Sequence, residues 1–451
     1  MTRVNHIVWE TLTAPRRWIE AWYLIYAVLG IVSSGLVPVL LPLMMAALSP
    51  NVATVGYVVG AYNMGLATSP LWGYLADRFN LFRLTLLGGL AIEAGCIGAF
   101  PMGHALAQWF PLALGIGVGS AAVATCATLL VVEFHPRTEW TARIGWLQTF
   151  NGAGQVGGLL LAGLFAAAGF KLGLWTGAGL LAAALVVGLF SVPRGKAVAA
   201  AIKADPDRPD EHRGLKLDFT PVARFARVEL LGGGIVRYFY GANLSALRNI
   251  RVLWPTRFGR FIASWFCIFI GVAGFFAYFP LFFRKIFHLP PATTSLVYAV
   301  AAGVGVALYT LAGRWVERFG ARKVYFWGRL ARVAGFGLLL AMMFMPGGVA
   351  GRITAIIGFG IVVMSWPVLS VTGTDLASEL SPIGQGSAQG LNNLANAAGT
   401  VAGTYMAGYL IHLTGYVCIP IIALAGLALS LGVDSPLHRH RPAAEKSPAG
   451  A

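Results

Sequence analysis

The chain has 451 residues, 57% of them hydrophobic and 11% charged, with a mean hydropathy of +0.72. A water-soluble globule of that composition would lack the polar side chains to cover its surface, so lipid is the expected solvent. The net charge of +16 does not require nucleic acid, because its basic residues alternate from loop to loop as membrane topology demands.

About twelve apolar runs are long enough to cross a bilayer, for which about 20 residues at roughly 1.5 Å each span a hydrocarbon core of about 30 Å. They begin near Ala21, Ala53, Leu84, Gln108, Ile144, Leu172, Phe261, Thr293, Val324, Ile353, Gly386 and Gly415. The first, Trp22 to Leu48, is too long for a signal-peptide core and lacks a cleavage site, so it reads as a retained helix. Six runs end near Val192 and the seventh starts near Phe261. That spacing predicts a six-helix bundle over 1–193, a polar connector over 194–258, a second six-helix bundle over 259–434 and a tail over 435–451.

Within the connector, the charged, proline-punctuated stretch Lys203 to Arg213 reads as a solvated linker. Thr220-Pro221 then supplies a cap and a first-turn proline for an interfacial amphipathic helix carrying Val222, Arg224, Phe225 and Arg227. Arg3, Arg16, Arg17, Arg78, Arg83, Arg137, Arg143, the connector, Arg318, Arg322, Lys323, Arg439 and Arg441 fall on one side; Lys171, Arg284, Lys285 and Arg352 fall on the other. Both termini are therefore expected in the cytoplasm, with the chain in the inner or plasma membrane of a cell. Cys96, Cys126, Cys267 and Cys418 lie in apolar runs without metal-ligand spacing, so neither disulfides nor a metal site are expected.

The two halves repeat each other. Gly73-Tyr-Leu-Ala-Asp77-Arg78-Phe79-Asn80 returns as Gly313-Arg-Trp-Val-Glu317-Arg318-Phe319-Gly320, each at the end of a long apolar run. Gly145 to Phe165 aligns with Gly390 to Leu410 at a constant offset, and Glu133-Phe-His-Pro136 precedes it as Glu379-Leu-Ser-Pro382 precedes its partner. The glycines of Gly115-Ile-Gly117-Val-Gly119 and of Gly152 to Gly158 join no strand to a helix, so they suit close helix packing rather than phosphate binding.

The repeated signature Gly-x-x-x-[Asp/Glu]-Arg-x-[Gly/Asn] resembles the motif between the second and third helices of major facilitator superfamily transporters, and its echo between the eighth and ninth. The resemblance implies an all-α membrane protein of twelve transmembrane helices in two pseudo-symmetric bundles, and a secondary transporter rather than an enzyme. It also implies a latch on the cytoplasmic side, formed by Gly73, Asp77, Arg78, Arg83 and Glu133 and, in the second copy, by Gly313, Glu317, Arg318, Arg322 and Glu379. Asp77 would reach the positive N-terminal end of the eleventh helix near Gly384 to Ser387, a contact worth roughly 0.3 to 2 kcal/mol. The chain departs from the family pattern at several points. Leu81 and Ala321 stand where the motif has an arginine, Gln155 follows Gly154 where family antiporters have a Gly-Pro step, and Pro111 replaces a fourth-helix arginine.

Polar residues inside the helices are the candidates for transport. Gln148, Asn151 and Gln155 on the fifth helix and Asn393, Asn396 and Thr400 at the repeat-equivalent places on the eleventh share helical faces by their i, i+3, i+7 spacing. Facing lipid they would be costly, so they serve either interhelical hydrogen bonds or a wet cavity. Resemblance favours the cavity, with substrate-binding roles for all six and, less strongly, for Asn392, Asn63, Tyr278 and Trp366. Glu93 in the third helix and Asp375 near the inner end of the tenth are the carboxyls that could couple transport to protons. Arg329 and Arg332 are expected to snorkel to the inner interface.

No cofactor is implied; the coupling ion would be a proton. The expected partners are a small-molecule substrate and the bilayer, with no nucleic acid and a monomeric chain. Few charged groups at depth argue against a strongly ionic cargo, so export of amphiphilic compounds is the leading expectation. A symporter or facilitator for a neutral polar solute is the alternative, and a non-transporting sensor or scaffold a further one. A membrane enzyme would need clustered catalytic groups, whereas the histidines are scattered through loops and tail.

Overall fold

The computed structural model describes residues 19–79, 81–135, 137–193, 256–344, 348–382 and 385–438. The connector with its amphipathic segment lies outside these residues, as do the side chains of Asp77 and Arg78. Within them the chain forms twelve helical segments: α1 Tyr23–Leu48, α2 in two pieces (Ala53–Leu66 and Ser69–Phe79), α3 Phe82–Ala99, α4 Leu106–Phe134, α5 Arg137–Ala168 and α6 Phe170–Ser191, then α7 Arg257–Ile286, α8 Pro291–Phe319, α9 Ala321–Met343, α10 Val349–Glu379, α11 Gln385–Thr414 and α12 Cys418–His438. The apolar runs read from the sequence begin within a few residues of these helices.

Nine of the described segments are long and apolar enough to cross a membrane. The other three fall short for different reasons. A turn at Ala67 and Thr68 breaks α2, α11 is diluted by Asn392, Asn393, Asn396 and Thr400, and in α12 the described side chains cover the apolar helix Cys418–Val433. Successive helices run in opposite directions, so all the connections lie at two ends. The near end carries residues 19–22 and the turns at Leu81, Gly320 and Leu380; the far end carries those at Ser49, Gly169, His288 and Gly415. Gly169, Gly320 and Gly415 have positive φ, which lets the chain reverse where an L side chain would be strained.

The repeat in sequence is a repeat in packing. A Cβ on Gly154 or Gly158 of α5 would run into the backbone of Ala27 and Ile31 on α1. One on Gly399 or Gly403 of α11 would run into the backbone of Phe266 and Ile270 on α7. These are the repeat-equivalent glycines against equivalent turns of the first helix of each half, where absent side chains let backbones touch. Gly89 with Gly119 joins α3 to α4 and Gly335 with Gly358 joins α9 to α10 in the same way. In α1 the stretch Gly30–Leu36 is π-helical. Gly30 and Gly35 lie there directly on the α5 backbone at Asn151 and Gly158.

The halves meet through α5 with α8 and through α2 with α11. At the far end Gly163 faces Ala292, deeper in Val156 faces Gly303, and Gly152 faces Val306. In the register set by those pairs Gly145 and Gly313 stand level, yet a Cβ on either would find nothing within 4 Å. The second piece of α2 likewise turns to its own half, Gly73 facing Thr125 of α4. Among the described residues the halves are thus joined at the far end and at mid-depth, and at the level of Gly145 and Gly313 they open into a cleft.

The far-end seam is built from small residues and three polar clasps. Gly56 lies against Gly408. The Tyr278 hydroxyl donates to the Val52 carbonyl at 3.1 Å, Asn63 donates to the Thr404 hydroxyl at 3.4 Å, and the Tyr405 hydroxyl reaches Met64 Sδ at 3.2 Å. Such contacts are worth about 1 kcal/mol each. Tyr278→Phe removes one of them without changing packing, so we expect a shift of about fivefold toward far-end opening. Modification of a cysteine replacing Ala53, which is buried at the far end beside Gly408, in the variant against the same probe in the parent, measures it.

Candidate functional site

The predicted amide stripes both lie on helices that bound the cleft, and their exposure follows its opening. Gln148 and Asn393, toward the near end, are exposed; Asn151, Gln155, Asn396 and Thr400, deeper, are half-buried. Their partners are mostly local. Asn151 Nδ2 donates to the Tyr26 carbonyl of α1 at 3.3 Å, and the Thr400 hydroxyl donates to Asn396 Oδ1 at 3.3 Å. Asn151 therefore ties α5 to α1. Asn392 is buried, and its Oδ1 has no hydrogen-bond partner.

The four less favoured candidates separate in space. Asn63 and Tyr278 belong to the seam, where both bond across the two halves. Trp366 on α10 is half-buried, stands edge-on to Phe269 of α7 with ring centres 5.7 Å apart, and faces the exposed Tyr309 of α8.

Two arginines of α9 are placed otherwise than the sequence suggested. Arg329 and Arg332 do not snorkel to the interface: they are 0% and 1% exposed, inside the second bundle. Arg329 bonds Ser264 and Ser430 at 3.2 Å and lies 4.2 Å from the Tyr325 ring centre. The Arg332 Nε donates to Ser365 at 2.9 Å, and its guanidinium sits 5.8 Å from the Trp366 ring centre. Serine hydroxyls from α7, α10 and α12 line the helix faces turned toward α9, and these supply acceptors that lipid headgroups would otherwise provide.

Glu93 on α3 is wholly buried in the first bundle. It accepts a hydrogen bond from the Ser33 hydroxyl, inside the π-helical stretch of α1, while its second oxygen has no partner among the described residues. Tyr62 of α2 donates to the Ser33 carbonyl at 3.3 Å. Asp375, by contrast, is exposed toward the near end of α10.

Charged side chains gather at the near end. Arg322 is 3.1 Å from Glu379, joining α9 to α10. Glu317 and Arg318 are exposed at the end of α8, Glu133 is half-buried at the end of α4, and Arg83 donates to the Leu189 carbonyl of α6 at 2.6 Å. Of the first copy of the latch, the side chains of Asp77 and Arg78 lie outside the described residues. Sequence reading missed a denser cluster in the first half. Glu20 accepts from Trp22 at 2.6 Å, lies 2.7 Å from His135 and 3.1 Å from Arg143, and Arg143 also pairs with Glu139 at 2.8 Å. The i, i+4 spacing of Glu139 and Arg143 was its one visible sign.

Burial by itself would raise the Glu20 carboxyl. Hydrogen bonds from His135 and Trp22 and the charges of His135 and Arg143 outweigh it and hold the group below its ordinary value. A carboxyl lowered by folding stabilises the fold above its unfolded value, and that contribution is lost as pH falls through the lowered one. Glu20→Gln should therefore flatten the acid limb of a plot of melting temperature against pH; an acid limb identical to the parent's would count against it.

A family model described as Major Facilitator Superfamily matches residues 22–381. Multidrug resistance protein 2 of Bacillus subtilis (strain 168) is 22% identical over 411 residues, covering 90% of this chain and 92% of that one. Among solved structures, the nucleoside transporter NupG superposes with a TM-score of 0.69 at 13% identity, covering 93% of this chain and 99% of that one. A bacterial homologue of the iron transporter ferroportin in an inward-facing state does so with a TM-score of 0.61 at 14% identity, covering 93% and 97%.

Proposed function

Because the chain belongs to the major facilitator superfamily and is a transporter rather than an enzyme, we propose that it exports amphiphilic compounds by alternating access. The observation that carries this reading is the cleft itself. Its two halves are held together at the far end by Tyr278, Asn63 and paired glycines, and are parted at the level of Gly145 and Gly313. Rocking about the α5–α8 and α2–α11 contacts would close the near end and break the far seam.

The walls offer amides at Gln148, Asn151, Gln155, Asn393 and Asn396 beside the aromatic Trp366 and Tyr309. Such a mixture suits a cargo with both apolar and hydrogen-bonding parts. The multidrug-resistance relative supports export, at a distance. We place the near end in the cytoplasm of the cell membrane on the loop charges, with the transporter acting as a monomer, and assign proton coupling to Glu93.

Export is tested in proteoliposomes of sorted orientation, with an amphiphilic dye and a nucleoside as parallel cargoes under an imposed pH gradient. Dye accumulation driven by the gradient, with Asn151→Ala and Asn396→Ala each lowering the rate about tenfold, is the expected result. Nucleoside movement without dye movement would replace it with the neutral-solute reading, and unchanged rates in both variants would make the stripes packing elements only.

A further inference from the structure

Arg332 is a buried cation without a counter-charge. Among the described residues no carboxylate pairs with it, and the acids whose side chains are described in α7–α12, Glu317, Asp375 and Glu379, are exposed toward the near end. Its Nε is held by Ser365, which itself donates to the Val362 carbonyl at 2.7 Å, so the plane of the guanidinium is fixed. Nη2 is buried and, among the described residues, has no hydrogen-bond partner. A guanidinium in this state is expensive unless an anion completes it, and its planar fork suits a carboxylate or sulfonate better than a point charge would.

Trp366 connects this group to α7 and to α8, the helix that meets α5 of the other half. Its ring centre lies 5.8 Å from the guanidinium, it stands edge-on to Phe269, and it hydrogen-bonds Tyr309. Tyr309 is one helical turn on the near-end side of Val306, which packs against Gly152 of α5, so it stands at the near-end edge of the α5–α8 contact. A modest turn of the indole would give a ligand in the cleft both an aromatic face and a fixed N–H donor.

We propose that Arg332 and Trp366 form an anion subsite of the cleft, which takes the carboxylate or sulfonate of an amphiphilic cargo whose ring packs on Trp366. The proposal rests on the export reading and narrows it: the cargo carries one acidic group. It reverses the expectation that a scarcity of charge at depth disfavours ionic cargo, since that expectation had placed Arg332 at the interface.

The test is equilibrium dialysis of the purified full-length protein with 1-pyrenebutyrate and with its neutral amide. The parent should bind the acid about tenfold more tightly than the amide, and Arg332→Gln should erase that ratio while leaving amide affinity within about twofold. Equal ratios in parent and variant would overturn the subsite. If Arg332→Gln does not fold, Trp366→Leu decides: both ligands should weaken while the preference for the acid persists, and loss of the preference would place the anion site elsewhere. Phosphate or chloride that raises the melting temperature of the parent but not of Arg332→Gln, without any preference for the acid over the amide, would mark a site for inorganic anions and overturn the assignment to cargo. Parent protein that binds neither pyrene compound overturns the export reading with it, whereas equal binding of both overturns the anion subsite alone.

Discussion

Gly158→Ala should prevent the folded protein from accumulating, while Gly157→Ala one residue earlier should be silent. The two glycines differ only in what surrounds them. A Cβ on Gly158 would fall on the Ile31 carbonyl, closer than real Cβ contacts come, whereas a Cβ on Gly157 finds nothing within 4 Å. The obstacle is helix backbone, which cannot rotate aside as a flexible side chain would, and overpacking of that kind costs about 1–3 kcal/mol or more. The helices would have to separate along the whole α1–α5 seam, taking the π-helical stretch with them. Gly403→Ala, at the equivalent place against Ile270, should fail in the same way. Melting temperature and monodispersity in detergent measure both. A Gly158→Ala protein that melts within about 2 °C of the parent would mean that the seam gives easily.

The second large effect is expected at Glu93. Glutamine keeps its shape and its acceptor for the Ser33 hydroxyl but cannot exchange a proton. Glu93→Gln should therefore fold normally, lose gradient-driven flux about tenfold or more, and retain gradient-independent exchange of cargo across the membrane. Among the described residues, the groups that face this carboxyl are Ser33 on α1, Tyr62 on α2 and Cys96 on its own helix, while Gly119 of α4 packs against the Glu93 backbone and Cβ. None of them is a base that could take over its role. Because Ser33 lies in the π-helical stretch, a change at Glu93 is transmitted to the helix that packs on α5 and borders the cleft. Gradient-driven flux at the parental rate in Glu93→Gln would assign coupling to another group or to none.

Much of the architecture could be read from residue order because lipid imposes length and apolarity on every crossing segment, and because the Gly73 and Gly313 motifs and the Asn151 and Asn396 segments repeat. Packing inside each half could be read only partly. The glycines of α5 were recognised as a close-packing surface, but not that α1 is its partner. The break in α2 at Thr68 had its sign in Ser69-Pro70 and was passed over. Arginine at 329 and 332 is equally consistent with a side chain that escapes to the interface and one that turns inward; only the serines brought by distant helices decide between them. The same holds for the stripes. Spacing puts Asn151 on one face of α5, but whether that face meets α1 or the cleft depends on helix rotation, and Asn151 bonds the Tyr26 carbonyl of α1.

The polarity of α11 also bears on how the protein is made. A segment carrying three asparagines and two threonines between Asn392 and Thr404 partitions poorly from the translocon into bilayer when presented alone. Its integration must lean on neighbours already in place, above all α7, whose backbone at Phe266 and Ile270 offers it a docking groove. The second bundle would then be completed late and as a unit, so that a nascent chain stalled before α12 is a substrate for quality control rather than a partly working carrier.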